Sequence, residues 1–369
     1  MTSPSLPFLA PRGRGVAENP TGRFEKLHYA PDLEALEDLR ASEQDGDASP
    51  DPPSPATVCY RDDTQKIISQ NDSPDVGSNF SFNPYRGCEH GCAYCYARPY
   101  HEYLGFGAGL DFETKIMVKP QAPELLRREL SSLSWKPEPL VCSGVTDCYQ
   151  PVERSFQLTR ACLDVLAEFS QPVTITTKNR LVTRDIDLLQ RLASCSCVSV
   201  AISVTTLDGH LAAAMEPRAS TPNARLEAIR LLAGAGIPVG VSLAPVIPGL
   251  NDHEIPAILE AARANGASYA FYSIVRLAHS LPELFFSWLD RHFPEKRERV
   301  EHQIRSLRGG ALNDSRFGIR MQGEGPFADT LRHLFEVSAA RNGYCDPPEL
   351  SSAAFRRPGE VQLSLFPES

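Results

Sequence analysis

The chain reads as an α/β protein built around an incomplete (β/α)6 barrel, with a disordered N-terminal extension and a helical C-terminal region. Three observations predict this. Six short β-branched runs lie between residues 79 and 280, and segments of helical period separate them. Connections of that length imply parallel pairing through right-handed crossovers. A crowded cysteine triplet follows the first run directly, and parallel barrels place their chemistry at that end, on the C-terminal face. A doubly wound open sheet fits the strand count equally well, but the barrel better explains where the cysteines stand.

Taken in order, residues 1–78 are rich in Pro, Ser, Asp and Gly, and Gln44 to Pro55 shows no apolar periodicity, so most of this stretch reads as a flexible extension. Within it Arg12, Arg14 and Arg23 surround Asn19-Pro20 and Phe24, a cluster suited to docking on the body or on a phosphate, or simply a solvated basic patch. The expected strands are Phe80–Tyr85, Leu140–Val145, Val173–Thr177, Val198–Val204, Val239–Ala244 and Tyr269–Val275. Helices are expected over Glu124–Ser132, Ser155–Phe169, Arg184–Leu192, Pro222–Ala235 and Asp252–Asn265. Pro222 suits a first helical turn and Gly236 a helix end. Residues 281–341 read as further helices, among them Pro294 to Arg308 with interleaved charges of both signs, the pattern of an exposed face. A polar tail, 342–369, follows.

Composition narrows the function classes. With 42% hydrophobic and 22% charged residues, the 369-residue chain has the make-up of a soluble globular protein. No apolar stretch reaches membrane-spanning length and no leader-like start is present, so a cytoplasmic protein is expected. In that reducing setting ten cysteines are more readily ligands, reactive thiols or small core residues than a disulfide framework. The formal net charge of −9 argues against nonspecific coating of nucleic acid but leaves room for a local basic groove.

Chemistry concentrates in Asn83-Pro-Tyr-Arg-Gly-Cys88-Glu-His-Gly-Cys92-Ala-Tyr-Cys95-Tyr96. Three thiols in a CxxxCxxC spacing, on a loop punctuated by glycine, can cap three corners of a cubane iron–sulfur cluster and leave the fourth iron open. Zinc is the competitor, because His90 could complete a Cys3His set. Zinc sites usually draw paired C-x2-C knuckles from two places, and no second knuckle exists here. On that competing reading the chain is a metal-stabilised binding module without turnover.

The spacing, Tyr94 ahead of the third cysteine and the position after a first strand resemble the radical-SAM enzymes. The resemblance implies a [4Fe–4S] cluster on Cys88, Cys92 and Cys95, whose open iron chelates S-adenosylmethionine, with reductive cleavage to a 5′-deoxyadenosyl radical by way of an external electron donor. It also implies cofactor contacts from Tyr94 toward the adenine, from Ser143 and Thr146 at the end of the second strand, from Lys178 after the third and from Ser203 at the end of the fourth. Within that superfamily the order of Arg86-Gly-Cys88 to Tyr96, Thr146-Asp147, Thr177-Lys178, Arg225-Leu-Glu-Ala-Ile and Gly240 to Gly249 resembles a bacterial group of unassigned function related to spore photoproduct lyase. That lyase repairs a thymine dimer in DNA and uses a cysteine near the end of its second strand as hydrogen-atom donor. Gly144 falls at that place here, flanked by Cys142 and Cys148, which become the candidate donors. A protein or small-molecule substrate is the alternative to a DNA lesion.

The tail ends in Gln362-Leu363-Ser364-Leu365-Phe366. A polar tail exposes an apolar cluster of this kind at a cost unless a groove receives it. Gln362, Leu363, Leu365 and Phe366 resemble the short motif by which bacterial repair proteins bind the DNA sliding clamp; a hook folded onto the protein's own surface is the other reading. Tethering of that kind would raise the local concentration of an acidic enzyme at DNA.

Overall fold

The computed structural model describes residues 13–24, 55–75 and 77–358. Its centre is a run of six parallel strands in sequence order: β1 (Phe80–Phe82), β2 (Leu140–Cys142), β3 (Val173–Thr177), β4 (Val198–Ser203), β5 (Val239–Val246) and β6 (Tyr269–Ile274). Because each strand lies beside its predecessor with no reversal of order, every crossover runs the same way and there is no switch point of the doubly wound kind. The partial barrel is therefore the observed architecture. Every residue of β4 is buried, as a central strand covered on both faces requires.

Five connecting helices form the outer layer: α1 (Ala122–Ser131), α2 (Leu158–Phe169), α3 (Ile186–Ala193), α4 (Pro222–Gly234) and α5 (Ile255–Ala264), with α6 (Leu281–His292) following β6. The start of α4 shows how local sequence sets a boundary. Thr221 accepts a hydrogen bond from the Ala224 N–H through its hydroxyl, Pro222 occupies the first turn, and Gly236 ends the unit at φ +74°. Elsewhere tertiary demands cut expected elements short. β1 stops before Pro84, and Tyr85–Arg86 turns away to pair with Lys115–Val118 in a second, three-stranded sheet. β2 stops at Cys142 because Ser143 adopts φ +75°, and the helix expected over Ser155–Phe169 breaks at Gln157, φ +51°.

The described parts of the supposed extension belong to the body. Ile68–Gln70 pairs antiparallel with β1 and covers that edge of the barrel, and Val58–Arg61 pairs parallel with Lys115–Val118. Residues 13–24 pack against the cysteine loop. At the other end the first part of the polar tail also lies on the barrel: Tyr344 donates to the Leu259 carbonyl at 2.7 Å, and Arg356 N–H to that of Phe169 at 2.9 Å. Gln362, Leu363, Leu365 and Phe366 lie outside the described residues. Among the described residues no helix is long and apolar enough to cross a membrane.

Candidate functional site

The cysteine loop leaves β1 and is fastened from three directions. Cys88 N–H donates to the Phe112 carbonyl at 2.9 Å, Ala93 N–H to that of Met215 at 3.1 Å, and Glu89 N–H to the Gln150 side chain at 2.9 Å. Fully buried Arg98 gathers the Cys92, Ala108 and Gly109 carbonyls and meets the buried Glu113 carboxylate at 2.5 Å. Glu113 in turn accepts the N–H groups of Gly15 and Val16 at 2.9 and 3.2 Å, and Arg14 reaches the Glu113 carbonyl, Pro55 and Thr57. Approach is close enough that a Cβ on Gly15 would stand 1.6 Å from the Gly91 carbonyl oxygen. Gly91 itself sits at φ +69° between the first two cysteines, a turn suited to glycine.

Cys88, Cys92 and Cys95 are free thiols on this rigid loop. Burial pushes the Cys92 and Cys95 thiols up, so a metal must displace their protons on binding. The donor set favours a cluster over zinc. A Cys3His zinc site would need His90 as its fourth ligand. His90 is committed elsewhere: one ring nitrogen faces Asp147 at 3.3 Å and the other Asn179 at 3.2 Å. Burial alone would lower its pKa, but the Asp147 carboxylate and Cys88 outweigh that and push it up to about 10.

Asp147 ties three elements together. It accepts the Thr177 hydroxyl at 2.7 Å, the Lys178 N–H at 2.8 Å and the Tyr149 N–H at 2.9 Å, joining the ends of β2 and β3 to the loop through His90. Lys178 then extends over the loop, its ammonium 5.9 Å from the centre of the Tyr94 ring and 3.3 Å from the Ala244 carbonyl at the far side of the mouth. Tyr94 is buried, with its hydroxyl on Glu216; Glu216 also pairs with the buried Arg225 and accepts the Thr205 hydroxyl at 2.9 Å. Arg225 finishes its donors on the Ser203 and Ser220 carbonyls. Sequence reading passed over Asp147, Glu216 and Arg225 as site residues. The available signals were an acid at the end of an apolar strand and an arginine on the apolar face of α4.

The remaining expected residues divide. Ser143 follows β2 with its hydroxyl beside the Cys148 thiol, and Ser242 within β5, paired in register with Ser203, carries a buried hydroxyl that has no protein partner. Ser203 itself is buried in β4. Thr146 does not reach the mouth with its hydroxyl: it donates to the Gly87 carbonyl at 2.6 Å and braces the loop from below. Cys142 and Cys148, the candidate hydrogen-atom donors, are both fully buried in the core, their thiols against each other and that of Cys142 within electrostatic reach of Cys162 on α2. Exposed Tyr96, which sequence reading did not single out, instead donates its phenol to the Gly144 carbonyl at 2.5 Å, and the Arg276 guanidinium lies 6.0 Å from its ring.

Comparison with known proteins gives the family and the fold. The family model described as "Radical SAM superfamily" matches residues 82–262. An uncharacterized protein of Mycobacterium tuberculosis is 37% identical over 289 residues, 78% of this chain and 82% of its own length. A protein of Pseudomonas phage M6 named radical SAM Nalpha-GlyT isomerase is 25% identical over 220 residues, 59% of this chain and 44% of that one. Among solved structures, spore photoproduct lyase complexed with dinucleoside spore photoproduct superposes with a TM-score of 0.56 at 16% identity, covering 78% of this chain and 80% of that one.

Proposed function

Because the chain belongs to the radical SAM superfamily, which uses a [4Fe–4S] cluster and S-adenosylmethionine, we propose that Cys88, Cys92 and Cys95 ligate that cluster and that the enzyme acts on a nucleic-acid base in a lyase or repair type of reaction. The observation that carries the cofactor assignment is the loop itself: three free thiols fastened at the C-terminal end of β1, under a lysine from β3. When bound, the cluster and S-adenosylmethionine supply a 5′-deoxyadenosyl radical, given an electron from an outside donor.

The chain's own residues hold and orient. Lys178 offers a point charge to the methionine carboxylate, and the unpartnered hydroxyl of Ser242 offers a donor to the polar edge of the cofactor. Asp147 sets the rim by accepting the N–H of Lys178 just beyond β3. Tyr94 is assigned a supporting role, since its hydroxyl is spent on Glu216. With Cys142 and Cys148 buried in the core, Tyr96 is the side chain we assign to hydrogen-atom return, as its phenol lies on the Gly144 carbonyl at the mouth.

The nucleic-acid reading draws on a fold neighbour, a lyase solved with a dinucleoside photoproduct. Exposed Tyr96 and Tyr100 with Arg276 at the mouth suit stacking and phosphate contact. The tail motif Gln362 to Phe366 would bring such an enzyme to the sliding clamp in the cytoplasm.

Anaerobic reconstitution tests the first part: the protein should release 5′-deoxyadenosine from S-adenosylmethionine under dithionite, and Cys88→Ala, Cys92→Ala or Cys95→Ala should abolish both iron uptake and release. Full iron and full cleavage in those variants would end the assignment. Ultraviolet-damaged DNA offered with 5′-deuterated S-adenosylmethionine tests the substrate class; absence of any substrate-dependent turnover or deuterium transfer would reject it. A clamp pull-down that is equally efficient without residues 362–366 would reject recruitment.

A further inference from the structure

A cavity of about 260 Å³ opens beside the cysteine loop. Its inner wall includes Ala97, Phe112 and Val145, the small apolar set that packs on Cys88 and Cys95. The rest of its lining is polar and aromatic, with Asn83, Arg86, Lys119, Tyr100 and Tyr103 prominent, and among the described residues no carboxylate lines it. His101 also faces it, but burial pushes that imidazole down to about 4, so it carries no charge at neutral pH.

Lys119 is the anomaly. Only 7% of it is exposed, yet among the described residues its ammonium has no hydrogen-bond or ion-pair partner. Its stem is packed away while the ammonium opens on the cavity, where no side chain among the described residues neutralises it. Burial and the neighbouring Arg86 guanidinium push its pKa down to about 8. The nearest acid, Asp62, is already engaged by Arg86 at 2.8 Å from its guanidinium. Two cations thus border one cavity, with one carboxylate between them and that one outside the cavity. Asn83 adds a donor: its amide oxygen accepts the Val145 N–H at 3.2 Å, which leaves the amide nitrogen for a ligand. At the entrance Tyr100 and Tyr103 expose more than half of their surface, ring centres 6.4 Å apart.

We propose that this cavity is an anion pocket that takes the phosphate of a nucleotide, with Lys119, Arg86 and Asn83 around the phosphate and the Tyr100 and Tyr103 rings receiving the adjoining base. A tetrahedral oxyanion supplies the counter-charge that Lys119 lacks and can accept from all three side chains. Exposed aromatic rings beside a cationic pocket are a stacking platform for any base. The phosphate assignment stands on the cavity alone. Taking the nucleotide as part of a strand whose neighbouring base enters the barrel mouth rests on the nucleic-acid reading above.

Calorimetric titration of the full-length, cluster-loaded protein with inorganic phosphate, thymidine 5′-monophosphate, thymidine and a single-stranded oligothymidylate tests it. Both phosphate-bearing small ligands should bind and thymidine at least tenfold more weakly than its monophosphate. Lys119→Gln should weaken the phosphate ligands at least tenfold, Lys119→Arg should restore most of the affinity, and Tyr103→Ala should weaken the monophosphate but not inorganic phosphate. Thermal melting reports folding, and Lys119→Gln should melt close to the parent because the ammonium it removes has no protein partner among the described residues. Absence of phosphate binding by the parent protein, or equal affinities in Lys119→Gln, overturns the pocket. Lys119-dependent binding of both small ligands with no gain for the oligonucleotide upholds the pocket and overturns its reading as a strand site.

Discussion

Gly15→Ala puts the clamp between the N-terminal segment and the cysteine loop under direct strain. The added Cβ would lie 1.6 Å from the Gly91 carbonyl oxygen, 2.7 Å from its carbon and 3.3 Å from Glu113 Oε1. The first two atoms are backbone, so no rotamer relieves the overlap, and reaching an ordinary contact of about 3.5 Å requires a shift of about 2 Å. Such a shift breaks the Gly15 and Val16 N–H bonds to Glu113. Hydrogen bonds to a charged group contribute about 1.5–3 kcal/mol each, which puts the loss at roughly 3–6 kcal/mol. Detachment of the segment alone limits the effect on global unfolding, so the signal should be local. Hydrogen exchange at the Gly15 and Val16 amides and tryptic cleavage after Arg14, which is buried in the parent, should both rise steeply. Iron retained per chain after reconstitution should fall, because Glu113 and Arg98 support the Cys92 carbonyl. Gly209→Ala, at a glycine with nothing within 4 Å, serves as control. Parent-like exchange, proteolysis and iron content in Gly15→Ala would refute the clamp.

Gly240→Ala should destabilise by about 1–3 kcal/mol, as overpacking does: its Cβ would meet the Tyr269 ring at 2.3 Å, and that ring crosses β5 to donate its hydroxyl to the Val200 carbonyl at 2.9 Å. Urea titration measures the loss, and an unchanged midpoint would contradict the packing. His101 gives a pH signature. Its folded pKa, about 4, lies below the ordinary value of 6.5, so the unfolded state binds the proton first and stability falls as pH drops from 6.5 toward 4. By pH 5 the loss is about 2 kcal/mol, and His101→Gln should remove that slope; identical pH dependence in parent and variant would exclude His101 as its source. Lys178→Met should weaken S-adenosylmethionine binding by roughly 10–100-fold, from the loss of one charged hydrogen bond, while iron content stays intact. Equilibrium dialysis distinguishes this from loss of the cluster.

Much of this protein was legible as pattern. The six β-branched runs, their helical spacers and the cysteine triplet after the first run are local signals, and each appears where periodicity and spacing put it. Thr221-Pro222 and Gly236 mark both ends of α4 because capping and left-handed turns are decided within a few residues. Family membership was legible for the same reason: three thiols close in sequence are necessarily close in space.

Side-chain roles that depend on which face a residue presents were decided only by packing. Cys142 and Cys148 flank the place of a known hydrogen-atom donor, yet the turn at Ser143 leaves both in the core, Cys142 near Cys162, while Tyr96 crosses to Gly144. The composition around Arg12, Arg14 and Arg23 left docking on the body and a solvated patch both open. It could not show that Glu113, 98 residues away from Gly15, waits for two backbone N–H groups. Lys119 likewise reads as one lysine before a proline, and only the meeting of the small sheet with the cysteine loop buries it beside Arg86. Periodicity and spacing encode what neighbours along the chain must do; the pairing of distant charges is settled by burial, which removes water and leaves each ion only the partners that the fold supplies.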